Sequence, residues 1–310
     1  MDYYKIVAKK SLAQDANFHA NIIIMTVRRK KQRNFITDVL LPSLFTRRVG
    51  QRQKPIFPTL KSDQIAITWI GHASFLIQTP RHNLVVDPNW ANWLAVIRRL
   101  RHAGFHIDDL PNIDLVLITH AHFDHLNRRS LRQIADQQPI VVPAGVSNLV
   151  ENMGFHFIHQ MKWWDTWQHD GLEITFTPAK HWGARMLADR HRGFGGFVIR
   201  YHNRSVYHVG DSAYFDGFKE IGERLKPEIV LMPIGAYDPV SSWDMHISPE
   251  QAIDAFHDLK AKLLIPMHFG TYRLTYEPIH EPPERLLRAA VKEGLLSKIR
   301  VLNEGLPEVF

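Results

Sequence analysis

An α/β fold is the class this sequence predicts, and three observations predict it. From Ile65 onward, short apolar runs rich in Val, Ile and Leu recur, each closed by a small or polar residue. Segments with helical spacing lie between several of those runs. The 310 residues are 45% hydrophobic and 22% charged, a globular balance that excludes collagen, coiled coil and wholesale disorder.

The runs are Asn83 to Val86 before Asp87-Pro88, Asp114 to Ile118 before Thr119-His120, Leu172 to Phe176 ahead of His181, Ser205 to Val209 before Gly210-Asp211, and Lys262 to Ile265 ahead of His268. All are too short for helices, which need about ten residues or more, so they read as buried strands. Helices are expected over Ser130 to Gln138, Pro249 to Leu259 and Pro283 to Lys292. Ser248 supplies an N-cap for the second, and Pro249 suits its first helical position. No repeat, low-complexity tract or linker follows residue 62, so residues 63–310 are read as one domain.

Residues 1–62 read as a basic arm. They hold 13 Lys and Arg against 3 Asp and Glu, whereas residues 63–310 hold 25 against 28. Asn34 to Phe45 sets Phe35, Ile36, Val39, Leu40, Leu44 and Phe45 on one helical face, with Pro42 as a kink or interruption. Arg28 to Arg33, Arg47 and Arg48 flank that segment. Two readings stand side by side: an interfacial helix on an anionic membrane, or an arm packed on the body or left in solvent. Met25 is an alternative start to Met1. No window approaches the roughly eighteen apolar residues of a spanning helix, so the expected location is cytoplasmic, peripheral on the inner face of the membrane. The acidic body gives no basic groove, so no specific nucleic-acid partner is expected; a homodimer is left open.

The absence of cysteine excludes disulfides, thiolate metal sites and a thiol nucleophile, while 19 histidines favour a nitrogen and oxygen metal site. His120-Ala121-His122-Phe123-Asp124-His125 directly follows an expected strand. In extended chain His120 and His122 point the same way and can share an ion, while Asp124 and His125 on the turn beyond can reach a second. His181, Asp211 and His268 also follow apolar runs, so all can meet at one sheet edge, where α/β folds bind ligands. This donor set suits two divalent ions, zinc first, with manganese or iron as alternatives. Paired ions about 3.5–4 Å apart support hydrolysis by an activated water.

Several blocks together resemble the metallo-β-lactamase-fold hydrolases, and within them the branch of N-acyl-phosphatidylethanolamine-hydrolysing phospholipase D and its bacterial relatives. They are Trp69-Ile70-Gly71-His72-Ala73, Asp87-Pro88, the His120 to His125 cluster, Thr177 to Trp182, Gly210-Asp211-Ser212, Pro233 to Tyr237, His246 with Pro249 and Glu250, His268 to Thr271, and Glu281-Pro282-Pro283. The resemblance implies a four-layer αββα sandwich of two mixed sheets flanked by helices. It implies that His120, His122 and His181 hold one ion, that Asp124, His125 and His268 hold the other, and that Asp211 bridges them. Asp87 would support the ligands from behind. His246 would act in catalysis, bonding the substrate phosphate or protonating the leaving group. The implied reaction releases N-acylethanolamine and phosphatidic acid. Phe123 departs from the Tyr of the mammalian enzymes, and residues 1–62 match poorly.

His72 divides between lining the site and supporting its turn. Arg185, Arg190 and Arg192, in the loop after His181, divide between gripping phosphate and standing in solvent. Trp163, Trp164 and Trp167 are read as core. The alternative enzyme is a lactonase or phosphodiesterase for a small soluble phosphate-containing substrate. A non-catalytic scaffold is disfavoured because every ligand position is filled, and a nuclease because the body carries net negative charge.

Overall fold

The computed structural model describes residues 33–186, 189–239, 242 and 244–310; Met25 and the basic residues Arg28 to Lys31 lie outside them. One sheet contains β1 (Ala66–Gly71), β2 (Ser74–Gln78), β3 (Asn83–Val86), β6 (Leu115–Leu117), β7 (Ile140–Pro143) and β8 (Ile158–Met161) in that lateral order, with β15 (Glu308–Val309) outside β1. A small hairpin, β4 (Trp93–Leu94) and β5 (Ile97–Arg98), stands apart. The other sheet runs in reverse order from β14 (Leu263–Met267) through β13 (Ile229–Pro233), β12 (Arg204–His208), β11 (Gly196–Tyr201) and β10 (Leu172–Thr177) to β9 (Thr166–His169). Each expected strand is present within a residue or two of its expected bounds.

Alternation along the strands builds the layers. Leu115 and Leu117 face the inter-sheet core with Phe75 and Leu84, and Ile174, Phe197, Val206 and Leu231 enter the same core from the second sheet. The intervening Val116, with Ile118, turns outward onto Leu131 and Ile134 of the helix Arg128–Ile134. On the far side the helices Gly217–Leu225, Pro249–Leu259 and Glu281–Lys292 pack in series, and the middle one lies on β13. The result is the expected αββα sandwich. Full burial of each large apolar side chain contributes about 1.5–3 kcal/mol.

Local chemistry sets the helix ends. Ser248 accepts the Gln251 amide while Gln251 accepts that of Ser248, a capping box at the expected start. The helix expected over Ser130 to Gln138 begins earlier, because the Asn127 side chain accepts the Ser130 amide. It ends at Ile134, where the Gln138 side chain folds back onto the Ile134 carbonyl.

The arm's described part lies against the body. A π-turn, Ile36–Leu40, runs into the short helix Leu41–Phe45, so Pro42 sits where the winding changes. Val39 is buried and Phe35 meets Tyr276 edge-on, yet Phe45 is 86% exposed. Val49 and Gln53 then hydrogen-bond to the backbone of Leu100, His102 and Gly104. The expected face is therefore split, half of it packed and half of it bare.

Strand direction places the site. β1, β3 and β6 run parallel to one another in the first sheet, as β10, β12 and β14 do in the second. Their C-terminal ends deliver His72, Asp87, His120, His181, Asp211 and His268 to one edge of the sandwich.

Candidate metal centre

The His120 to His125 loop leaves β6 and turns at once, with the Leu126 amide bonded to the His122 carbonyl. His120 Nε2 and His181 Nε2 lie 2.9 and 3.3 Å from His122 Nδ1. Asp211 Oδ2 is 3.9 Å from His120 Nε2 and 3.8 Å from His181 Nε2. The same oxygen is 3.3 Å from His125 Nε2 and 3.2 Å from His268 Nε2, so Asp211 stands between two donor groups. Asp124 Oδ2 completes the second group, 3.4 Å from His268 Nε2 and 3.7 Å from His125 Nε2. His72 joins it as well, its Nε2 2.9 Å from Asp124 Oδ2.

These donors fit divalent ions. His125 Nε2, His268 Nε2 and Asp211 Oδ1 are buried with no hydrogen-bond partner, which a folded protein rarely tolerates without a ligand. The spacings suit ligand bonds of about 2.0–2.2 Å. His120, His122, His181 and Asp211 form one such group, and His72, Asp124, His125 and His268 another.

Supporting contacts fix the rings. The Asp87 carboxylate accepts His125 Nδ1–H at 2.6 Å, the Thr119 amide at 2.8 Å and the Thr119 hydroxyl at 2.6 Å. Asp87 does this from a left-handed backbone, φ 47°, just past β3. His181 Nδ1–H donates to the Met245 carbonyl at 2.9 Å. Behind the site, buried Arg99 bonds the Asn89 and Arg101 carbonyls, and the Asn89 amide holds the Asp124 carbonyl.

Burial holds His120 and His181 well below the usual imidazole range. Burial would lower His125 and His268 too, but the Asp211 and Asp124 carboxylates raise both, His268 to about 9. The two carboxyls respond in kind: burial would raise them, and the surrounding imidazoles keep them well below the usual carboxylate range.

A 420 Å³ cavity opens beside the cluster, reaching His122, Asp124, Asp211 and His246 on one wall. Much of the remaining lining is apolar, including Leu94, Ala95, Val96 and Ile97 of the β4–β5 hairpin with Leu274 and Met245. His246 stacks on His268 with its Nδ1 3.9 Å from Asp211 Oδ2, and burial lowers it to about 4. Arg185 lines the cavity, lies 4.1 Å over the Phe123 ring and donates to the Ala121 and Leu126 carbonyls.

The other two arginines of that loop take neither a place at the cavity nor a hydrogen-bond partner in common with Arg185. Arg192 is consumed by Asp189, the Gly145 carbonyl and Asn148, and neither it nor exposed Arg190 lines the cavity. Trp163 differs from its reading as core, being 45% exposed with its indole N–H on the Phe194 carbonyl. Sequence reasoning missed the hairpin wall and the grip of His72 on Asp124. For His72 a signal existed, because it follows the apolar run Ala66 to Ile70 just as each other donor follows its strand.

A family profile described as the beta-lactamase superfamily domain matches residues 82–269. An N-acyl-phosphatidylethanolamine-hydrolyzing phospholipase D of Caenorhabditis elegans is 32% identical over 71% of this chain and 68% of its own length. A UPF0173 metal-dependent hydrolase of Methanopyrus kandleri is 30% identical over 77% of this chain and 97% of its own. Among solved structures, the metallo hydrolase Igni18 of Ignicoccus hospitalis superposes with TM-score 0.62 at 24% identity, covering 80% of this chain and 98% of its own. The chain spans about two thirds of the length of the relatives it matches at 32% identity.

Proposed function

The chain belongs to the metallo-β-lactamase superfamily and is a metal-dependent hydrolase, and on that premise we propose that it is a dinuclear phosphodiesterase of phospholipase D type. Its reaction in this reading releases N-acylethanolamine and phosphatidic acid from N-acyl-phosphatidylethanolamine. The observation that carries the reading is the cavity, which pairs a polar, cation-binding wall with an apolar one of chain-accepting character. The C. elegans relative named for this activity adds support.

His120, His122, His181 and Asp211 would hold one ion, and Asp124, His125, His268 and Asp211 the other, zinc being the best match to the donors. With ions bound, such a centre supplies Lewis acidity to a phosphoryl oxygen and acidifies water. The protein's own groups do the rest. Arg185 brings a cation to the mouth of the site, where it favours the phosphate. Burial keeps His246 neutral at pH 7, which suits it to donating an N–H to an ester oxygen rather than to delivering a proton. The hairpin wall receives the acyl chain and excludes water from the bond being cut.

The test is hydrolysis by the zinc-loaded protein of a panel: N-acyl-phosphatidylethanolamine in vesicles, bis-p-nitrophenyl phosphate and a sugar-phosphate lactone. Release of N-acylethanolamine is expected. Turnover of only the soluble diester or the lactone would instead favour the alternative of a small soluble substrate.

A bilayer substrate calls for peripheral attachment, and we include it in the proposal, with an anionic inner leaflet as the surface. Among the described residues no helix is long and apolar enough to cross a membrane. Phe45, Leu41 and Ile36 on the arm and Trp93 and Val96 on the hairpin are all exposed, and Arg98 ties the two elements through the Leu44 and Thr46 carbonyls. Deleting residues 25–54 would also remove the contacts of Val49 and Gln53 with the body, so Phe45→Asp with Val96→Asp is the cleaner probe. The pair should lower binding to anionic vesicles, and binding by the parent should weaken as salt rises. Unchanged vesicle binding would return the patch to solvent or to a contact between copies.

A further inference from the structure

We infer that His72 is a positioning residue of the metal centre, holding the Asp124 carboxylate in the orientation from which it ligates the second ion. The inference rests on the metal-dependent reading of the site and not on the choice of substrate.

Asp124 is carried differently from the donors that close a strand. His120, Asp211 and His268 follow strands within a few residues, whereas Asp124 sits in the middle of an irregular loop. A carboxylate there needs an outside brace. Its backbone carbonyl accepts the Asn89 side-chain amide at 2.7 Å, and the shortest contact of its carboxylate is His72 Nε2 at 2.9 Å. Compared with the 3.4 and 3.7 Å to His268 and His125, this is a hydrogen bond, while the longer pair leaves the approach of an ion open.

His72 is built to stay where it is. Its side chain is 1% exposed. Its amide donates to Thr271 Oγ1 at 2.8 Å, and its carbonyl accepts both the His268 amide at 3.0 Å and the Trp69 indole N–H at 2.9 Å. The ring lies 4.1 Å from that of His268 and meets Tyr272 edge-on. Backbone strain is accepted to achieve this, since His72 has φ 56°. Gly71 beside it has φ 127° and leaves no room for a side chain, because a Cβ would come within 2.8 Å of Arg99 Nη2. A residue needed only to turn the chain would not require an imidazole bonded to a ligand. The same anchored segment bonds His268 through its backbone and Asp124 through its ring, so it sets two donors of one ion relative to each other.

The test titrates Zn²⁺ into metal-free full-length protein by calorimetry for the parent, His72→Ala and His72→Gln, and records the absorption bands of the Co²⁺-loaded forms. Loss of a partner that orients a ligand typically weakens metal binding about 10–100-fold. His72→Ala should weaken one equivalent by that factor and leave the other tight, which also demonstrates a folded protein. His72→Gln, which retains an N–H donor, should recover most of the loss with parent-like Co²⁺ bands. In an Asp124→Asn background, His72→Ala should add little. The inference fails if His72→Ala binds both equivalents as the parent does, or if its effect is undiminished beside Asp124→Asn. It fails equally if His72→Gln is as weak as His72→Ala and both change the Co²⁺ bands, which would make His72 a ligand itself. None of these measurements uses a phosphodiester, so failure of the proposed reaction would leave the result standing.

Discussion

Replacing Asp87 by Ala should damage both the metal centre and the fold, by amounts the structure allows to be worked out. The carboxylate is fully buried and accepts three hydrogen bonds, one from His125 and two from Thr119. Its loss strands three buried donors, and an unsatisfied buried group costs about 1–3 kcal/mol, so roughly 3–5 kcal/mol of stability is at stake after some relaxation. The effect on metal is separate, because without its acceptor the His125 ring is free to rotate. Binding of the second ion should weaken about 10–100-fold, equivalent to about 1.4–2.7 kcal/mol. Denaturant unfolding of the metal-free protein reads the first quantity, and calorimetric zinc titration of the same sample reads the second. Asp87→Asn should fall between, since its amide group presents donors where the site also has donors. Asp87→Ala with unchanged unfolding midpoint and unchanged zinc affinity would refute the reasoning.

Asp211→Asn should abolish turnover of any substrate the enzyme accepts, since Asp211 lies between both donor groups and an amide lacks the second anionic oxygen; near-normal activity with both ions bound would remove it from that role. Chelation should lower the melting temperature reversibly, because ligand at about a thousandfold over its dissociation constant contributes about 4 kcal/mol to the folded state. A scan showing equal midpoints with and without chelator would mean the histidines bind no ion. Gly104→Ala should cost about 1–3 kcal/mol in denaturant unfolding, because a Cβ there would lie 2.2 Å from the Gly305 nitrogen, backbone against backbone.

The legible part of the molecule was the part where chemistry and periodicity coincide. His120, Asp211 and His268 each follow a short Val- and Ile-rich run, and a strand's end is the one place where a regular element hands a side chain to a sheet edge. Ser248-Pro249 announced its helix for the same reason, because capping is a local interaction. The hairpin Trp93–Arg98 gave no such sign. Its strands are two residues each, too short for any alternation to register, and its place is fixed by distant partners such as the Leu44 and Thr46 carbonyls. The three loop arginines look alike in sequence, yet Arg192 is spent on Asn148 and Gly145 while Arg185 faces the cavity. Such assignments depend on which loops meet, and that is decided only when the sheets pack.

The hairpin divides the labour of the enzyme in a way that bears on its history. His120, Asp211 and His268 stand just past strands rooted in the inter-sheet core, where a change of one methylene is felt throughout. Much of the cavity's apolar lining belongs to a two-stranded flap outside both sheets, with Ala95 and Val96 at its exposed tip. Substitutions in that flap can alter the shape and greasiness of the chamber while the cation seat and the melting point stay as they were. Selection can therefore audition new substrates on one peripheral loop, and a lineage can change its diet without rebuilding its hearth.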